Sequence, residues 1–374
     1  MSETGLPLDG VRVLDLSTLL PGPMATLLLA EAGAEVTKVE RPGRGDEMRG
    51  YQPRLGEDSA NFVLLNRGKG SVTMDLRDPA TRDALLDRAR DTDVWVEQNR
   101  PGVMDRLGLG YADVSAVNPA IVYCSITGYG QHGPDAGRAG HDLNYLAESG
   151  LLGDAVDRNG APHLPPTVIA DIAGGSYPAV LNILLALMRR DRTGRGVHLD
   201  ISMTHSLQTL AYSAVATRAG SGSWPEAGRG LLTGGSPRYA IYRTADDRFL
   251  AAAPLEQRFW ERFAALVGLP AGDQDETGRE QEVLDEVARL VRARTAAEWE
   301  RTFAGEDVCC SVVATFAEAE DAQRLRSDPE YRVAGAGGPD APALGVPLAP
   351  ELRHAPGTRR APAFSDPAPP ERPA

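Results

Sequence analysis

Val11-Arg-Val-Leu-Asp-Leu16, then Ser17-Thr-Leu-Leu-Pro-Gly22, then an apolar run from Met24 to Ala32 stopped by Gly33, then Glu35-Val-Thr-Lys-Val-Glu40: this stretch decides the fold. The first and last segments read as strands. The run between them has the length of a helix and ends on a glycine, the residue that most readily takes the left-handed conformation of a C-terminal cap. Strand, helix and strand in so short a span form a βαβ unit.

The same alternation continues outward. A strand-like segment covers Ser71 to Leu76, and a helix follows with Asp78 as its N-cap and Pro79 at the first helical position, where a missing N–H costs nothing. Strands are expected near Asp93–Glu97 and Ala120–Thr127, and a Gly-rich stretch, Gly128–Gly140, precedes a helix-like run over Asp142–Leu151. Val180, Ile183, Leu184 and Leu187 share one face of a helix over Gly175–Arg190, which reads as a core helix ended by Thr193-Gly-Arg-Gly196. The expected fold class is α/β, a mostly parallel sheet with helices on its faces.

Gly, Ser and Pro dominate residues 220–235, the composition of a linker. This divides a large domain over 1–219 from a smaller α+β domain over 236–307. A hairpin (Tyr239–Thr244 with Asp246–Ala252) and helices at Gln257–Val267, Gln281–Arg292 and Ala296–Ala304 are expected in the smaller domain. Residues 308–348 are expected to return to the large domain. From Ala349 to Ala374 the chain carries Pro362, Pro367, Pro369, Pro370 and Pro373 with little apolar periodicity, so this tail is expected to be disordered.

A formal charge of −13 argues against nucleic acid and anionic membranes as partners, since both need clustered positive charge. The three cysteines, Cys124, Cys309 and Cys310, show neither metal-ligand nor redox spacing, which fits a reduced, cytoplasmic setting. No basic leader precedes an apolar run, and no stretch has the 18 or so uninterrupted apolar residues of a membrane span, so neither export nor insertion is expected.

Three features bear on chemistry. Gly128-Tyr-Gly-Gln-His-Gly133 matches the dinucleotide-binding string, but Pro134 and another turn follow where a helix should open, and the first βαβ loop lacks the glycines, so no nicotinamide or flavin site is expected. Arg41, Lys69 and Arg106 fall near strand ends on the ligand-binding edge of an α/β sheet; each taken singly reads equally well as solvated surface. The ionisable set His141, Asp142, Asp171 and Glu256 offers bases able to remove a proton beside a thioester carbonyl. Spacing alone leaves open an N-capping Asp171, a core His141 and a surface Glu256.

Together, Leu8–Leu16, Ala32–Gly43 with Gly45-Asp46, Asn66-Arg-Gly-Lys69 with Asp75-Leu76, Gly128–Gln131 and Thr193–Gly196 resemble the family III coenzyme A transferases (CaiB/BaiF), over roughly residues 8 to 330. Arg138-Ala-Gly-His-Asp-Leu-Asn-Tyr145 is similar to the α-methylacyl-coenzyme A racemase branch, which carries a His at this point. The resemblance implies His141 paired with Glu256 as one acid/base unit and Asp171 as the other, with Asp142 and Arg106 in support. It further implies an acyl-coenzyme A substrate held by Arg41, Lys69 and Arg106, a Rossmann-like large domain and an interlocked homodimer. No cofactor beyond the substrate's own coenzyme A is implied, and no metal. Transferases of the family use the equivalent Asp as a nucleophile, so Asp171 alone does not discriminate; a non-catalytic acyl-coenzyme A binding protein is a third reading. Two segments depart from the family pattern: Glu97-Gln-Asn-Arg-Pro-Gly102, and the C-terminal part from Ala343-Leu-Gly-Val-Pro347 onward. Asp171 is expected to have its pKa raised by partial burial.

Overall fold

The computed structural model describes residues 5–157, 159–322, 324 and 330–364. The chain divides into two compact units, one of residues 1–149, 165–209 and 326–374, the other of 150–164 and 210–325.

Unit 1 is built on a six-stranded sheet: β1 (Arg12–Asp15), β2 (Glu35–Glu40), β3 (Gly70–Thr73), β4 (Val94–Glu97), β5 (Val122–Thr127) and β6 (Val197–Ser202), in spatial order β3-β2-β1-β4-β5-β6. All five neighbouring pairs run parallel. This is the doubly wound order with a switch point between β1 and β4, where ligands bind outside the carboxyl ends of the strands. Both faces are covered, so β4 and β5 are buried at every residue and read as continuous rather than alternating strands.

The helices follow local chemistry. Helix α1 (Pro21–Glu31) buries nearly all its residues, as a helix apolar all round should. Asp78 caps α2 (Pro79–Ala89), accepting the Ala80 N–H at 3.0 Å. Helices α3 (Val103–Arg106) and α4 (Tyr111–Val117) follow β4, and α5 (Asp142–Glu148) follows β5. Helix α6 (Tyr177–Thr193) ends on Gly194 at φ 67°, as its Thr-Gly-Arg-Gly string requires.

The expected core role of α6 holds for one stripe only. Of the expected face, Ile183 and Leu187 are buried, Val180 is half-buried and Leu184 is exposed; Ala179 and Ala186 complete the inward row, the helix packs on β5 and β6, and Leu181, Leu185 and Met188 are 55–58% exposed. Together with the preceding turns, Ala170–Thr193 is long enough to cross a membrane and contains an 18-residue window of mean hydropathy 1.3, a test that the core helix of a globular protein also passes. Asp171, Ser176 and Asn182 interrupt its apolar run.

In unit 2, β7 (Ala240–Arg243), β8 (Phe249–Ala252) and β9 (Cys310–Val312) form an antiparallel sheet in order β9-β8-β7. Helices α7 (Gln257–Val267), α8 (Glu280–Val291) and α9 (Ala296–Phe303) cover it, and Trp260, Phe263, Val287, Trp299 and Leu250 are fully buried between them. Each such side chain contributes about 1.5–3 kcal/mol on burial.

Three boundaries differ from the sequence reading. The chain leaves unit 1 after residue 209, not at 220–235, because the helix Tyr212–Ser221 groups with unit 2. Unit 2 continues past 307, because β9 completes its sheet. Nor is the tail disordered through its described part. Strand β12 (Gly357–Arg360) lies parallel to β10 (Tyr331–Ala334), which pairs on its other side with β11 (Ala341–Pro342). Backbone pairing, for which Gly-Thr-Arg-Arg needs no apolar pattern, orders this segment, and the Phe364 ring lies 5.5 Å from the Arg49 guanidinium. Residues 365–374 lie outside the described residues.

Candidate active site

The carboxyl edge of the unit 1 sheet is organised by buried charge. Asp15, at the end of β1, accepts from Lys69 Nζ at 3.1 Å and Thr26 Oγ1 at 2.5 Å, and from the Ser17 hydroxyl. Lys38 Nζ pairs with Asp46 at 2.8 Å and donates to the Ser17 carbonyl at 2.7 Å. Burial would raise the Asp15 pKa, but Lys69, Lys38 and the two hydroxyls outweigh it and hold the carboxylate well below its ordinary range. Asp46 also accepts the backbone N–H of Leu19, whose φ of 62° is left-handed and strained for a residue with a Cβ. The network thus fixes the β1–α1 loop at the switch point.

Lys69, expected to face coenzyme A, is instead buried and bonded within the protein. Its ammonium has three donors, and Asp15, the Pro23 carbonyl, Thr26 and Asn66 all lie within 3.1 Å of it. Burial lowers its pKa to about 8, against the pull of Asp15. The loop-like Asn-Arg-Gly-Lys string conceals this, because Lys69 points inward at the mouth of β3.

The other two cations are at the surface. Arg41 donates to the Gly45 carbonyl at 3.1 Å and to Glu47 at 2.9 Å in an exposed pair, the kind worth at most about 1 kcal/mol and easily exchanged for a phosphate. Arg106 is exposed at the end of α3. In the altered Glu97–Gly102 segment, Gln98 takes hold of the β1–α1 loop, accepting the Gly22 N–H at 3.1 Å and donating to the Thr18 carbonyl at 2.9 Å.

Asp171 stands in the first turn of a π-helical segment, Ala170–Ser176, that runs straight into α6. Wide turns of this kind recur at functional sites because they re-aim side chains. The segment lies tight against its neighbours: a Cβ on Gly174 would come within 2.5 Å of the Met203 carbonyl, and Ser176 donates to the Pro21 carbonyl at 2.8 Å. Asp142, buried at the start of α5, accepts the Asp171 backbone N–H at 2.9 Å, so that donor is not free to meet an enolate. Burial first and the Asp142 charge second push the Asp171 pKa up to about 6, while His141 works in the opposite direction.

His141 is the exposed N-cap of α5; its backbone N–H donates to Asn144 Oδ1 at 3.0 Å. One helix start thus presents His141 and Asp142 together at Asp171. Glu256 occupies the N-cap of α7 in unit 2, is exposed, and makes no capping bond with its side chain.

One site residue escapes the sequence reading. Tyr145, buried on α5, donates to the Gly140 carbonyl at 2.5 Å and packs edge-on against Tyr129 at 5.3 Å. Its pKa is raised to about 12, by burial first and then by the Asp171 charge. A Cβ on Gly128 would lie 2.5 Å from the Tyr145 ring, and one on Gly140 2.7 Å. Gly128 and Gly140, at the two ends of the Gly-rich stretch, therefore cradle a tyrosine, and they are the signal that could have found it.

The sequence model of the family described as CoA-transferase family III matches residues 8–366. This chain belongs to that family. It is 36% identical to human α-methylacyl-CoA racemase over 318 residues, 84% of this chain and 79% of that protein. It is 38% identical to human succinyl-CoA:glutarate CoA-transferase over 254 residues, 68% of this chain and 58% of that protein. The crystal structure of Rv3272 from Mycobacterium tuberculosis matches with a TM-score of 0.79 at 27% identity, over 96% of this chain and 97% of that one. The α/β architecture of unit 1 is thus the family III fold.

Proposed function

We propose that this protein inverts the α-carbon of a 2-methyl-branched acyl-CoA thioester by moving a proton off one face and returning one to the other. The observation that carries the reading is Asp171, tied by its backbone N–H to Asp142 next to His141, with its carboxyl pushed up to about 6 and within the electrostatic reach of the His141 imidazole. A carboxyl in that range is a competent base at neutral pH and a competent acid in reverse, which a reversible 1,1-proton transfer needs of both groups. The similarity to α-methylacyl-CoA racemase supports the substrate class.

His141 serves one face and Asp171 the other, with the enolate as intermediate. Glu256 enters on the family resemblance, as the carboxylate that holds the His141 tautomer within a homodimer. Arg41 and Arg106 are proposed to hold coenzyme A. Lys69 instead shapes the loop beside them. The reaction asks for neither metal nor redox cofactor, and the cysteine usage fits a reduced, cytoplasmic setting.

The similarity to succinyl-CoA:glutarate CoA-transferase favours a second reading. There the Asp171 carboxylate attacks the thioester carbonyl and expels the coenzyme A thiolate, leaving a mixed anhydride; the thiolate then attacks the Asp171 carbonyl, which releases the donor acid and leaves an enzyme thioester for the acceptor carboxylate to open. A panel of acyl-CoA substrates with free dicarboxylates separates the two. Loss of optical activity without acceptor thioester supports inversion, and acceptor thioester with retained configuration supports transfer.

A further inference from the structure

Glu256 has an unusual setting for a group with catalytic work. Its carbonyl accepts the N–H groups of Phe259 and Trp260, both at 3.0 Å, which fixes the start of α7, but its own side chain makes no bond there. Its aim is therefore set by the backbone on either side. Both flanking residues are held by one side chain. Arg238 Nη1 donates to the Leu255 carbonyl at 3.3 Å, and Nη2 donates to Gln257 Oε1 at 2.9 Å.

Arg238 is itself over-determined. Its Nε and Nη2 grip the two carboxylate oxygens of Glu276, in a pair with side chains only 16% and 17% exposed. The guanidinium lies 5.2 Å from the Trp260 ring centroid, and that indole is tethered to the Gln274 carbonyl at 2.8 Å. The Arg238 backbone N–H is bound to Ser236 Oγ at 3.1 Å. Beyond the fork, Ala253 N–H donates to the Cys309 carbonyl at 2.9 Å, so 253–257 is pinned at both ends. The guanidinium holds these acceptors in one rigid plane and grips the carboxylate through two nitrogens, a geometry that a single ammonium on a flexible stem does not reproduce.

We propose that Arg238 is the positioning residue for Glu256: its guanidinium clamps Leu255 and Gln257 and so aims the carboxylate between them. This rests on the catalytic role given to Glu256 above and adds the device that makes the role possible. Without the clamp the backbone that carries Glu256 would be free to shift, and misplacement by about 1 Å costs a proton-transfer partner on the order of 100-fold in rate.

The test measures α-hydrogen exchange of 2-methyldecanoyl-CoA in heavy water for wild type, Arg238→Lys, Gln257→Ala, Glu256→Gln and the two double variants with Glu256→Gln. Arg238→Lys keeps the charge facing Glu276, so a role in holding unit 2 together by charge alone predicts wild-type rates. Positioning predicts a kcat lower by about 10- to 100-fold with KM within about threefold. In the Glu256→Gln background the same substitution should cost nothing further. Gln257→Ala, which removes one exposed arm of the clamp, keeps the test open should the lysine variant not fold; it should lose several-fold in kcat, again only when Glu256 is present. Losses that multiply with that of Glu256→Gln, or that fall on KM, overturn the positioning role alone. A silent Glu256→Gln overturns it together with the catalytic assignment of Glu256.

Discussion

Replacing Asp171 by Asn should make the protein more stable above neutrality while removing its activity. The carboxyl has an ordinary value of 3.8 and is pushed up to about 6 in the folded chain, chiefly by burial and then by Asp142. Between these values the folded state holds a proton that the unfolded state has released. Folding stability therefore falls as pH rises through that window, and the loss is complete above the folded pKa. At about 1.4 kcal/mol for each tenfold change in proton affinity, a displacement of this size corresponds to roughly 3 kcal/mol, and partial solvent contact reduces it to about 1–3 kcal/mol. Asn carries no proton to lose, so Asp171→Asn should escape the penalty. Urea unfolding of both proteins at pH 4 and pH 8 measures it: near-equal stability at the lower pH, and a variant more stable by about 1–3 kcal/mol at the higher. A variant that is less stable at pH 8, or a difference that does not change with pH, refutes the reasoning that Asp171 is a strained, functional carboxyl.

The remaining predictions follow from the same geometry. As a base, Asp171 must be deprotonated, so the rate of proton abstraction on its face should fall as pH drops through about 6, read from the pH profile of kcat/KM. Lys69→Met should destabilise the fold by about 3–5 kcal/mol, because it strands the buried Asp15 carboxylate; a normal unfolding midpoint with a raised KM would restore Lys69 as a coenzyme A contact. Arg106→Ala should raise KM for acyl-CoA several-fold with little change in unfolding midpoint, and a coenzyme A titration checks it. Gly128→Ala should disturb Tyr145 and lower kcat, since the new methyl would meet the ring at 2.5 Å; unchanged kinetics would mean the cradle has no bearing on the site.

Much of this architecture is legible because its signals are local. Helix α7 begins and ends where its periodicity places it, at Gln257 and Val267, since the apolar pattern meets Gly268, which stands at φ 82° as a left-handed cap. Strand β2 likewise has the bounds of its apolar alternation. What stays hidden depends on partners distant in sequence. Nothing in Gly357-Thr-Arg-Arg360 announces a strand, because it is ordered by the backbone of β10. Lys69 reads as surface because its acceptors come from β1 and α1. Periodicity places Ile183 and Leu187 on the inward row of α6 correctly but sets Leu184 there too, because leucines cover the helix nearly all round and the exposed row is not distinguished from the buried one. Within the site, His141, Asp142 and Asp171 are brought together by one hydrogen bond across 29 positions, which no spacing rule contains. The string around His141 names His141 and Asp142 but not their contact with Asp171.

The central claim, two proton carriers acting on opposite faces of one carbon, meets its most direct test in single-face exchange. Each epimer of 2-methyldecanoyl-CoA is incubated in heavy water with His141→Ala or Asp171→Asn, and deuterium at the α-carbon is followed by mass spectrometry. Each variant should retain exchange from one epimer and lose it from the other, with the two variants showing opposite preferences and neither inverting configuration. Exchange that disappears from both epimers in one variant and survives from both in the other would contradict a proton carrier on each face.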